Sequence, residues 1–166
     1  MSSSDRRSFL GLIAAVPLAA CGFTPAYAPG AAASTLRGRV LADAPTDRNG
    51  FGFVARIEDR LGHPEVAAYR LAYNITTQRV DLAVTTEGSI LRYNILGQVA
   101  FSLTDAASGA VLKQGRTESF TGSAATRATI AAQSAEDDAY QRLMQILADQ
   151  VATQLIATAP TWAVPG

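Results

Sequence analysis

Two long stretches of this sequence alternate apolar and polar side chains, and this alternation restricts the fold more than any other feature. Residues 90–103 and residues 68–77 place apolar side chains at nearly every second position. Successive side chains on a strand point to opposite faces, so both stretches predict antiparallel strands with one covered face and one wetter face. Residues 111–121 predict a further strand with weaker alternation. Residues 105–109 and 87–88 carry the glycine-containing patterns of turns between these strands.

Two other segments carry the spacing of amphipathic helices. In residues 51–61 apolar side chains recur at intervals of three and four, and Gly62 predicts the end of that helix. A much longer segment with the same spacing contains no glycine or proline and is predicted to end near residue 159. This second helix begins either at a cap on Ser134 or earlier, near Ala124.

The order of these elements indicates the fold class. Residues 35–41 form a short candidate strand, so the chain runs strand, helix, three strands, long helix. One sheet with an apolar face and two helices with apolar stripes bury each other most simply as a two-layer sandwich. We therefore expect an α+β fold with two helices packed on one face of a four-stranded sheet. The order of the strands within that sheet does not follow from the pattern.

The first 20 residues have the zones of an export signal. Arg6 and Arg7 precede a mostly apolar run at residues 8–18, and small residues follow. That run is shorter than the roughly 20 residues that a membrane-spanning helix needs, so residues 1–20 are interpreted as a signal peptide. The paired arginines resemble the twin-arginine export motif, and the general secretory route is the alternative.

Cys21 directly follows this signal. The sequence Leu18-Ala-Ala-Cys21 resembles the lipobox of bacterial lipoproteins, in which the thiol receives a diacylglycerol and the new amine is acylated after cleavage. Cys21 is the only cysteine, which excludes an intramolecular disulfide and a cysteine-cluster metal site. We therefore expect lipid attachment at Cys21 as the link to the membrane. Gly22, in place of an aspartate, resembles the pattern sent to the outer membrane.

The rest of the chain divides into three parts. Residues 21–34 contain prolines, glycines and many small side chains and are expected to form a lipidated tether. Residues 35–159 have the size of one ordinary domain. Residues 160–166 are expected to be a tail.

Composition excludes several functional classes. With 14 basic and 14 acidic residues, the chain has no net positive charge to hold nucleic acid. His63 is the only histidine and lies in a turn, which excludes a histidine-based metal cluster. The acidic residues 136–138 are interpreted as a solvated helix start, and no nucleophile or phosphate-binding glycine motif is present. We therefore expect no enzyme, no catalytic residue, no metal site and no cofactor apart from the covalent lipid.

Several segments, in this order, resemble the LptE family of lipopolysaccharide-assembly lipoproteins. They are the opening Cys21-Gly-Phe-Thr-Pro-Ala-Tyr27, the strand start Tyr69-Arg-Leu71, residues 89–102, Leu103-Thr-Asp105 with Gly109 and Val111-Leu112, and the final helix with Asp138-Ala139 and Leu147-Ala-Asp-Gln-Val151. Together they cover most of the chain after the signal. Residues 120–126 depart from the family, whose members often have an asparagine- and tyrosine-containing segment there.

The resemblance implies a non-enzymatic protein of the outer membrane. Relatives form a plug inside the large β-barrel LptD and assist lipopolysaccharide assembly at the cell surface. The implied partners are an LptD-like barrel, lipopolysaccharide and, through the lipid anchor, the periplasmic side of the outer membrane. The other functional class is an auxiliary lipoprotein of an envelope ABC-type lipid transport system, which would share the lipobox and an α+β body. The protein partner distinguishes the two functional classes, because it is an outer-membrane barrel in the first and an inner-membrane permease in the second.

Three cations on the predicted strands are candidate contacts for lipopolysaccharide. Arg92, Lys113 and Arg116 would meet its phosphates or acidic sugars, because guanidinium and ammonium groups form charge-assisted hydrogen bonds with such anions. Solvated strand residues without a ligand are the alternative interpretation of all three.

Overall fold

The computed structural model describes residues 32–84, 90–124 and 129–163. Its elements are α1 (Ala32–Leu36), β1 (Val40–Ala42), α2 (Arg48–Leu61), β2 (Tyr69–Val84), β3 (Ile90–Asp105), β4 (Val111–Ala124) and α3 (Thr129–Thr158), followed by a 3-10 turn at Ala159–Thr161. The predicted signal peptide, Cys21 and the turn at residues 87–88 lie outside the described residues.

The four strands form one mixed sheet in the order β1-β2-β3-β4. β1 pairs parallel with β2, and the other neighbours pair antiparallel. The long helices α2 and α3 pack on one face of this sheet, so the predicted α+β class and the two-layer arrangement are confirmed. The short helix α1 is an addition that the sequence pattern did not predict.

The first predicted strand is wrong for most of its length. Residues 35–41 divide between the end of α1, a turn and the start of β1. Leu36 and Val40 are both buried, as the alternation suggested, but they reach the core from a helix and from a strand. Gly38 has a φ of 67° and donates its N–H to the carbonyl of Leu61 at 2.6 Å, which turns the chain between the two elements.

The boundaries of α2 follow from its caps. The Asp47 side chain accepts a hydrogen bond from the Gly50 N–H at 2.7 Å and begins the helix. At the other end Gly62 takes a φ of 80° and donates its N–H to the Glu58 carbonyl, so the predicted stop is confirmed. The Ser134 cap for the last helix is wrong, because α3 begins at Thr129, midway between Ser134 and the earlier alternative near Ala124.

The C-terminal residues described beyond α3 belong to the domain. The predicted tail at residues 160–166 begins as a 3-10 turn, and the Trp162 indole packs edge-on against the Tyr69 ring with centroids 5.5 Å apart. The indole N–H also donates to Thr158 Oγ1 at 3.2 Å. Because its ring is packed and its N–H is hydrogen-bonded, Trp162 is part of the folded domain. Residues 164–166 lie outside the described residues.

The core lies between the sheet and the two long helices. Its fully buried side chains include Phe53, Ile57, Leu71, Ile95, Leu103, Leu143, Leu147 and Leu155. α3 packs closely over Gly97, where an added Cβ would lie 2.9 Å from side-chain carbons of both Leu143 and Leu147. The absence of a side chain at Gly97 therefore lets the leucines of α3 pack directly on the strand.

Candidate functional site

The face of the sheet opposite to the helices is left uncovered by the described part of the domain. We call it the outer face. It carries the alternate residues of β2, β3 and β4, among them Arg70, Ala72, Asn74, Thr76, Gln78, Leu96, Ala100, Arg116, Glu118 and Phe120, all of which are exposed. Between them lie the buried positions that face the helices, so the alternation of the sequence sorts these side chains onto two faces.

Two apolar side chains interrupt the polar character of the outer face. Leu96 and Phe120 are direct cross-strand partners, with 41% and 62% of their surfaces exposed. They line a shallow groove of about 710 Å³ together with polar side chains such as Thr76, Gln98 and Glu118. Adjacent exposed apolar side chains with a polar rim are typical of a contact surface, and we call Leu96 and Phe120 the apolar patch.

Two of the three predicted cations flank this patch. Arg92 and Arg116 both lie on the outer face, where Arg116 pairs across the strands with Ala100. The patch residue Leu96 lies midway between positions 92 and 100 of β3. At about 3.3 Å per strand residue, the two guanidinium groups attach to the sheet roughly 26 Å apart along the strand direction.

Arg92 also borders a smaller depression at the same face. This groove of about 300 Å³ is lined by Arg92 together with Leu82, Asn94 and Ser123. Leu82 is 59% exposed, so the guanidinium again stands beside an uncovered apolar side chain. The arrangement of a cation next to apolar surface suits an amphipathic, anionic ligand.

Lys113 lies apart from the two arginines. It pairs with Leu103, whose side chain is fully buried beneath the helices, so Lys113 belongs to the helix-covered face near the start of β4. Lys113 is partly exposed there. The structure therefore brings Arg92 and Arg116 to one surface and separates the third predicted contact from them.

The apolar patch is the feature that sequence reasoning missed. Leu96 falls between the buried Ile95 and the closely packed Gly97, and Phe120 precedes the buried Thr121. Each is a large apolar residue at a position where the alternation along its strand predicts a polar side chain. That break in the alternation was the available signal.

The titratable groups of the helix layer form ion pairs. Asp137 Oδ2 lies 2.8 Å from Arg48 Nη1, and Glu136 Oε2 lies 3.6 Å from Arg79 Nη1. The Arg79 guanidinium also covers the Tyr93 ring at 3.7 Å from its centroid. These acidic residues therefore link α3 to α2 and to β2, and within the described ranges no set of histidine, cysteine or acidic side chains is arranged to hold a metal ion.

His63, the only histidine, lies on the surface. Its Nδ1 is 3.0 Å from Glu58 Oε1 beside the end of α2, and 71% of its side chain is exposed. It borders none of the grooves described above. Among the described helices, none has both the length and the apolar character of a membrane span.

The same architecture occurs in solved bacterial lipoproteins, which defines the structural class of this chain. A candidate lipoprotein from Caulobacter crescentus CB15 is 24% identical with a TM-score of 0.66, over 78% of this chain and 96% of that one. The rare lipoprotein B from Shewanella oneidensis is 13% identical with a TM-score of 0.57, over 74% and 96%. A minor lipoprotein from Acinetobacter baumannii is 16% identical with a TM-score of 0.55, over 75% and 92%.

Within that class the family is defined by sequence. The family model described as LptE, lipopolysaccharide-assembly, matches residues 29–155. The chain therefore belongs to the LptE family, and its role lies in lipopolysaccharide assembly, in which the family takes a non-catalytic part. The comparison with curated proteins gives no significant match.

Proposed function

We propose that this chain is an outer-membrane lipoprotein that forms a plug-type complex with an LptD-like β-barrel and assists lipopolysaccharide assembly at the cell surface. The observation that carries the proposal is the family match over residues 29–155, which spans β1 to β4 and nearly all of α3. The fold shared with rare lipoprotein B supports the same role.

The anchor in this proposal is a diacylglycerol and an N-acyl chain on Cys21. Several acyl chains, at about 0.8 kcal/mol per buried methylene, hold a protein at a membrane essentially permanently. The first described helix begins at Ala32. Since an extended chain spans at most about 3.5 Å per residue, the domain would lie within about 40 Å of the lipid, on the periplasmic side.

The outer face is the proposed surface for lipopolysaccharide. Its phosphates would meet Arg92 and Arg116, and its apolar part would cover the Leu96–Phe120 patch between them. Lys113 would contact the same ligand only from the opposite face of the sheet, so its contribution would be separate.

A pull-down tests the partner. The tagged full-length lipoprotein is captured from detergent-solubilised envelope, and co-purifying proteins are quantified by mass spectrometry. A large outer-membrane barrel in near-equal amount is the expected result. Inner-membrane permease subunits would instead indicate the auxiliary lipoprotein of an ABC-type lipid transporter, and no partner at all would also reject the plug complex.

A further inference from the structure

The strand β4 leaves one edge of the sheet free. It pairs with β3 along its length, and within the described ranges no strand lies on its other side. β4 has 14 residues and contains no proline, so one row of backbone N–H and C=O groups is available for another strand. An edge of this length pairs readily with a further chain unless charge or shape prevents it.

The charged side chains on this edge are complementary to those on the same edge of a second copy. Arg116 and Glu118 are both exposed on the outer face, one residue to each side of Thr117, and neither pairs with an opposite charge among the described residues. If a second β4 runs antiparallel with Thr117 opposite Thr117, each Arg116 faces the Glu118 of the other copy. Opposite charges directly across two strands stabilise that register, whereas like charges destabilise it.

The opposite side of the same edge supplies a second, independent observation. Thr117 is buried and faces α3, but within the described part of the chain its hydroxyl has no hydrogen-bond partner. In the register above, the two Thr117 side chains are direct cross-strand neighbours, which can hydrogen-bond to each other. Beside them lies a groove of about 610 Å³ between β4 and α3, whose lining includes Ile146, 37% exposed.

We propose that β4 is an interface for a second copy of this chain, joined antiparallel about a two-fold axis at Thr117 into a continuous eight-stranded sheet. Such an interface is isologous, because the same residues contribute from both copies. Two Arg116–Glu118 pairs lie on its outer face. The two Thr117 hydroxyls and the paired Ile146 grooves lie on the helix side. The proposal does not depend on the barrel complex.

Charge exchange tests this register directly. Two full-length copies with different C-terminal tags are expressed together, and co-capture of one with the other is measured from detergent-solubilised envelope. Arg116→Glu in both copies, or Glu118→Arg in both copies, turns two attractive pairs into two repulsive ones. We expect about thirtyfold weaker association for each of these variants. The double variant R116E/E118R, and a mixture of one R116E copy with one E118R copy, should restore association to the wild-type level.

Cysteine pairing gives a measurement that does not depend on charge. Thr117→Cys in the full chain should form a disulfide-linked dimer under mild oxidation, because directly opposed strand residues have the spacing that a disulfide needs. Thr76→Cys, exposed on β2 away from the edge, is the matched control and should form no disulfide-linked dimer. Wild-type copies that do not co-purify, a double variant that stays as weak as the single ones, or equal cross-linking at positions 117 and 76 would each overturn the proposal.

Discussion

Arg56 in α2 and Asp149 in α3 form a two-pronged ion pair that joins the two long helices. Arg56 Nε lies 3.0 Å from Asp149 Oδ1, and Nη2 lies 3.0 Å from Oδ2. The hydrogen bonds to Asp149, together with its negative charge, raise the pKa of the Arg56 guanidinium above its ordinary value. Because 93 residues separate the partners, the pair exists only when both helices have reached their places on the sheet.

The first prediction concerns this pair. Asp149→Asn removes the negative charge that faces two arginines, since Arg60 Nε also lies 3.4 Å from Asp149 Oδ1. It also removes one of the two acceptors of the Arg56 guanidinium. We expect a lower Tm, measured by circular dichroism. Asp137→Asn is the control, because its partner Arg48 is 79% exposed and such pairs contribute little. Equal losses of Tm in the two variants would contradict a special role for Asp149.

The second prediction concerns the packing of α3 over Gly97. Gly97→Ala places a methyl group 2.9 Å from side-chain carbons of Leu143 and Leu147, so these leucines or the helix that carries them have to shift. We expect the free energy of unfolding in urea to fall by about 1–3 kcal/mol. Ala100→Val adds bulk to the same strand on the exposed outer face and should change it by no more than about 0.5 kcal/mol. Similar losses at both positions would show that α3 is not seated on Gly97.

The third prediction compares two buried threonines of β4. Thr121 Oγ1 donates to the Ala139 carbonyl at 3.0 Å, whereas the Thr117 hydroxyl has no partner within the described residues. At a concentration where the chain is monomeric, Thr121→Val should lower the free energy of unfolding by about 1 kcal/mol. Thr117→Val should leave it unchanged or raise it, because the variant no longer buries an unpaired hydroxyl. A larger loss of unfolding free energy for Thr117→Val than for Thr121→Val would contradict this assignment of the two hydroxyls.

The fourth prediction concerns acid stability at the β3–β4 turn. The Ser108 backbone N–H and hydroxyl donate to Asp105 and lower the pKa of its carboxyl below the ordinary 3.8. A lowered folded-state pKa means that this stabilisation is fully present above about pH 4 and is lost as the pH falls through the folded-state value. Asp105→Asn should therefore lower Tm at pH 7 and leave a smaller decrease of Tm between pH 4 and pH 2. If the decrease of Tm between pH 4 and pH 2 is the same in the variant as in the wild type, Asp105 is not a source of that decrease.

The fifth prediction concerns lipopolysaccharide. The double variant R92A/R116A removes both cations beside the apolar patch, and we expect binding to purified protein to weaken about tenfold or more. Lys113→Ala should have a smaller effect, because Lys113 lies on the other face of the sheet. Arg70→Ala, an exposed outer-face arginine on β2, is the control. If changing Arg92 and Lys113 together leaves binding unchanged, the assignment of these strand cations is wrong.

The strands show where sequence reasoning succeeded and where it stopped. The covered face of β3 was predicted correctly at Tyr93, Ile95, Val99, Phe101 and Leu103, because helices cover this side of the strand and the alternation records that burial. β2 was predicted to end at residue 77, yet it continues to Val84. The strand alternation places three residues of this extension on the helix-covered face, yet all three are exposed: Thr77, Arg79 and Asp81. Backbone pairing with β3 maintains the strand there without any apolar pattern.

The candidate site was predictable in its residues but not in its arrangement. Arg92, Lys113 and Arg116 all lie on strands, as predicted. Whether two of them share a face depends on the register between β3 and β4, in which Arg92 pairs with Ala124 and Arg116 pairs with Ala100. A shift of one residue moves every side chain of a strand to the opposite face, so pattern alone does not group them.

The amino-acid sequence by itself determined the fold class, the Gly62 helix stop and the family, because these depend on local periodicity, backbone preference and ordered motifs. The tertiary structure alone decided that α3 seats on Gly97, that Arg56 meets Asp149, and that Leu96 lies beside Phe120 between Arg92 and Arg116. Each of these relationships joins residues distant along the chain. Their distances are set by strand register and by how closely a helix can approach the sheet, and periodicity records neither.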